Sequence, residues 1–90
     1  MSDETKKAVR EAREAVIDAA VSLATLSRVN DLLAPYLTDE DAPELSHAAQ
    51  VMAGECRAAL RRLVMAVNEM EQAMADSLAE AVEKQTGGQG

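Results

Sequence analysis

Aromatic side chains are nearly missing from this chain: Tyr36 stands alone, with no Trp and no Phe. Ligand pockets are normally lined by aromatics, and sheets favour aromatic and β-branched residues in alternation, so both are disfavoured. Cys56 is the single cysteine, which excludes an intrachain disulfide. Basic charge is also scarce. Nine Lys and Arg against sixteen Asp and Glu leave a net charge of −7, which repels a phosphate backbone instead of displacing its counterions. Nucleic acid is therefore not an expected partner.

Long apolar runs are absent too. None approaches the ~20 residues that span a bilayer, and the opening Met1-Ser-Asp-Glu-Thr-Lys-Lys7 has no apolar segment of the kind a secretory signal carries. A cytoplasmic location without membrane contact is the expectation, and an unpaired thiol agrees with it. Helix breakers are few: prolines occur only at 35 and 43, and glycines only at 54 and within the last four residues.

What is present is 48% hydrophobic, carried by Ala, Leu, Val and five Met. Small residues permit close helix approach and Met adapts to irregular gaps. Ser2 or Asp3 can cap a first helix over about residues 3–34, with Asp3 and Glu4 favourable at its positive end. Val9, Ala12, Val16, Ala19, Leu23, Leu26, Asn30 and Leu33 alternate at spacings of three and four, a heptad seam. A second stripe, Ile17, Val21, Ala24 and Leu32, lies on another face.

Residues 35–42 read as a turn, with proline at both borders and a Thr38-x-x-Asp41 capping pattern inside. A second helix is predicted over about 43–84. Its apolar stripe is Leu45, Ala49, Met52, Cys56, Ala59, Leu60, Leu63, Val67, Met70, Met74, Leu78 and Ala81. Gly54 interrupts helix propensity by about 1 kcal/mol relative to Ala and could divide this segment, giving three helices in all.

The expected fold is therefore all-α: an antiparallel hairpin of two long helices over residues 1–85, dimerising into a four-helix bundle, with a disordered tail at 86–90. Ninety residues bury only roughly 60 to 65% of their unfolded surface, so a second subunit is the natural source of added stability. With Ala34 level with about Pro43, Asp18 comes near Arg57, Arg61 and Arg62, and the segment from about Asp76 overhangs, leaving Leu78 and Val82 unmatched.

Few residues suggest chemistry. Glu44 and His47 share the i, i+3 spacing of carboxylate-bridged metal bundles, with Asp31 at about their level, yet their place in a first helical turn is explained by the helix dipole. They are weak metal candidates, and no metal or other cofactor is expected. Cys56 reads as a small core residue, since no base stands near it in sequence. Asp39, Glu40 and Asp41 lack the glycine and terminal Glu of a calcium loop.

These features point away from an enzyme. They suggest a helical protein-protein interaction module, a small adaptor or chaperone-like protein that covers a helix of another protein and itself forms a homodimer. The candidate partner-binding residues are Ile17, Val21, Leu32, Val51, Met65, Leu78 and Val82. The alternative is an acidic phage or mobile-element inhibitor of a basic host protein, such as an anti-defence protein.

Overall fold

The computed structural model describes residues 2–87. Helix α1 spans Asp3–Leu33, a 3-10 turn spans Ala34–Tyr36, and helix α2 spans Pro43–Gly87. No strand occurs among the described residues. Ser2 caps α1, its Oγ accepting from the Thr5 backbone N–H at 3.2 Å, and Asp3 and Glu4 complement the helix dipole. At the other end Pro35 has no N–H with which to continue the helix.

The turn is closed by Asp39, not Thr38. Asp39 Oδ1 accepts from the Asp41 N–H at 2.9 Å, the short-range bond that suits Asp to turns. The Ala42 carbonyl then takes the first bond of α2, from the Ser46 N–H. Ser46 Oγ donates back to the Leu37 carbonyl at 2.9 Å and ties the turn to the helix.

Helix α2 runs through Gly54 without a break, so the chain has two long helices. Thr86 and Gly87 belong to α2 and not to a tail: Thr86 Oγ1 donates to the Val82 carbonyl in the ordinary helical manner. The rest of the expected tail, 88–90, lies outside the described residues.

The hairpin register follows from its two ends. Ser2 N–H donates to Glu80 Oε1 at 3.3 Å at the open end, and Leu37 meets Ser46 at the turn. Antiparallel helices advance equally per residue. Counting inward from Ser2 and Glu80 therefore sets Val9 level with Ala73, Ala12 with Met70, Val16 with Ala66, Ala19 with Leu63, Leu23 with Ala59, Leu26 with Cys56, Asn30 with Met52 and Leu33 with Ala49.

Almost every layer joins one larger residue to one small one. All the buried hydrophobic residues are alanines: Ala12, Ala49, Ala59, Ala66 and Ala73, with Ala49 and Ala59 only 1% exposed. A methyl group at each layer lets the backbones approach, and the larger neighbour opposite fills the gap at half exposure. The seam expected on α1 is the one observed, since each of its eight members is buried or half-buried.

Two expectations are corrected by this register. On α2 the inward line after Leu63 passes through Ala66, Met70, Ala73, Ser77 and Glu80, whereas Leu60, Val67, Met74, Leu78 and Ala81 are exposed beside it. The large side chains of that stripe sit one position off the seam. The unmatched overhang also starts later than expected, at about Ala81 and not Asp76, because Ser2 is level with Glu80. The first residues of α2, up to His47 and Ala48, lie beyond the end of α1 and take up part of the difference in helix length. Leu78, level with Glu4, is bare because it points outward, whereas Val82 lies past the start of α1.

Of the three arginines expected near Asp18, Arg62 shares one shallow groove between the helices with it, and Arg57 and Arg61 do not line that groove. Asp18 and Arg62 form no ion pair. Among the described residues the ion pair present is Lys7–Glu11 at 3.9 Å, within α1.

Candidate protein-interaction surface

Two helices side by side have no interior apart from their seam. The hairpin measures 75 × 16 × 13 Å. Its radius of gyration is 20.4 Å, against about 12 Å for a compact domain of this length. The accessible surface is 6849 Å², against about 5,100 Å² expected for a compact monomer of 9.6 kDa. No large side chain is fully buried among the described residues. A large part of the apolar surface is thus left to face outward.

That surface is not evenly spread. On α2 the line flanking the seam on one side is Ala53, Leu60, Val67, Met74 and Ala81, apolar at every step. The line flanking it on the other side is Ala48, Glu55, Arg62, Glu69, Asp76 and Glu83, charged at all steps but the first. Apolar residues at the two seam positions plus one flank are what a helix shows when it faces the core of a bundle; a two-stranded coil needs only the seam. Val64 and Leu78 extend the apolar flank to a second stripe that rises off the seam by a quarter turn.

On α1 the second stripe is bare as well. Ile17 is 56% exposed, Val21 61% and Leu32 70%. The heptad positions place Ile17 and Ala24 toward the same broad side of the hairpin as Leu60 and Val64, whereas Val21, at the outer edge of α1, lines the groove on the other side with Asp18, Ser22 and Arg62. Leu32 turns toward the opposite side.

All seven partner-binding candidates are exposed: Ile17, Val21, Leu32, Val51, Met65, Leu78 and Val82. The structure does not gather them into one patch. Ile17 and Leu78 belong to one broad side, Val51 and Met65, at equivalent heptad positions, belong with Leu32 to the other, and Val21 and Val82 sit at the outer edges of their helices, Val21 beside the groove that Arg62 lines. Sequence reasoning missed Leu60, Val64, Val67 and Met74 as surface residues. The unbroken apolar flank at seven-residue steps, set against a charged flank opposite, was the signal for them.

Possible chemical groups are dispersed. Glu44 and His47 are exposed in the first turns of α2, where His47 borders the turn residues Leu37–Glu40. Asp31 is level with Val51 and so lies about 6 Å further along the axis than His47, not beside it. Among the described residues no three of His, Cys, Asp and Glu come together as metal ligands. Cys56 is half-buried in the seam at the level of Leu26. Arg57 and Glu71 lie within the α2 stripe, both exposed and without an ion pair among the described residues.

One carboxylate has a shifted equilibrium. The hydroxyls of Thr5 and Ser2, together with the Ser2 N–H, hold Glu80 below its ordinary value of 4.5. Its partners are the first residues of α1, so this group fastens the open end of the hairpin. No helix among the described residues is long and apolar enough to cross a membrane. No family model, curated protein or solved structure matches this chain.

Proposed function

We propose that this protein is a non-enzymatic interaction module, a small adaptor or chaperone-like hairpin that covers an amphipathic helix of another protein. The observation that carries the reading is the excess of outward apolar side chains over what one helix pair can enclose. Ile17 and Val21 on α1 form the start of a helix-in-groove contact, in which anchors recur at three- and four-residue steps. Contiguous exposed apolar area of this kind marks interaction sites. The low pI of 4.5 keeps such a surface soluble.

The test compares the wild-type chain with Ile17→Glu/Val21→Glu as bait at low and high salt. A protein retained at high salt by the wild type and lost by the variant supports apolar capture. Equal capture by both overturns the assignment to α1. Capture that vanishes at high salt favours instead an acidic inhibitor of a basic protein, since exposed charge contacts are screened.

A further inference from the structure

We infer that the outer stripe of α2 is covered by the same stripe of a second copy, antiparallel, about a two-fold axis between Val64 and Val67. The inference rests on the reading of the hairpin as an interaction protein, but it concerns α2, whereas the foreign helix is assigned to Ile17 and Val21 on α1. Two observations choose a second copy as occupant.

The first is area. The chain exposes on the order of 1,700 Å² more than a compact protein of its mass would. A standard interface buries about 800 Å² per partner, and homodimers often bury more. The uncovered surface is thus of the size that a stable dimer removes.

The second is self-complementarity. A two-fold interface sets one surface against itself, so residue i meets j while j meets i. The stripe contains two charged positions, Arg57 and Glu71, seven residues on either side of Val64. A two-fold at the stripe's centre sets Val64 level with the partner's Val67 and Ala53 level with the partner's Leu78. It also brings Arg57 within one helical turn of the partner's Glu71, twice over. A stripe built for an unrelated helix has no reason to bring its opposite charges together across its own two-fold axis.

Sedimentation equilibrium of the full chain alone, followed by refractive index because Tyr36 is the sole aromatic, reads the association directly. The wild type gives twice 9.6 kDa. Val67→Glu gives the monomer mass with helicity kept. Arg57→Glu and Glu71→Arg each weaken the dimer by about five- to tenfold, and the double exchange recovers to within about threefold. Should Val67→Glu unfold, the exposed charge pair decides.

A wild type monomeric to about 100 μM overturns the inference. So does a dimer indifferent to Val67→Glu, or one that the double exchange does not rescue. None of these results touches capture by Ile17 and Val21, which is measured on another protein. Failure of that capture with the dimer intact removes the adaptor reading alone.

Discussion

The backbone amide of Ser2 donates to Oε1 of Glu80 at 3.3 Å, joining residues 78 positions apart at the open end of the hairpin. The contact caps α1 with a carboxylate borrowed from α2. It sets the register of every layer between the two ends, because neither helix contains a bulge or break that could absorb a slip.

Acid should undo this clasp before it undoes the rest. Glu80 is held below 4.5 by Thr5 and Ser2, so its stabilising effect is present above that value and is lost as pH falls through the lower folded value. Glu80→Gln is expected to melt at a lower temperature than the wild type at pH 7. The two melting curves should converge as pH drops below 4.5. Circular dichroism melts at pH 7 and pH 3 measure it, and an equal gap at both pH values would sink the assignment.

Gly54 is dispensable to the fold. It stands inside a continuous helix, no glycine among the described residues has positive φ, and a Cβ built there meets only Arg57 Nη2 at 4.0 Å. Gly54→Ala should therefore add about 1 kcal/mol, as expected of the exchange in a helix interior. For a domain of this size that raises Tm by about 4 to 8 °C. A fall in Tm would mean that the glycine admits a close approach.

The α1 seam could be read residue by residue because an uninterrupted helix from a clear cap keeps its phase over four heptads. The α2 seam could be read only as far as Leu63. Beyond that point Val67, Met74 and Leu78 look like core by size, while Ala66 and Ala73 look neutral, and the structure reverses the two sets. Size misleads in a pair of helices this close, where the layer is set by its smaller member. The overhang was misplaced for another reason: cap and breaker residues bound the turn, but they do not say how far the first residues of α2 run past α1.

The alanine layers carry a sharper test. Ala59 is 1% exposed and level with Leu23. Ala59→Leu forces the backbones apart or the side chain off its rotamer, which costs about 1 to 3 kcal/mol. Ala79→Leu, at an exposed position of the same helix, should stay within about 0.5 kcal/mol of the wild type. Urea unfolding of both variants separates the cases, and similar midpoints would refute the alanine layers.

Asn30 is the one polar member of the α1 seam, one layer from the turn, half-buried at the level of Met52. Polar residues at such positions fix register and partner number at a cost in stability. Asn30→Leu should raise Tm, since it exchanges a poorly solvated amide for apolar contact with Met52, by an amount on the order of 1 kcal/mol. Its second effect should be a loss of uniqueness. With a leucine there, the seam no longer penalises a slide of one heptad along α2, nor pairing with another chain. Light scattering should then show mixed masses where the wild type shows one. A variant that is more stable and still of single mass would leave Asn30 without a specifying role, and one that is less stable would mean that its amide is already satisfied within the hairpin.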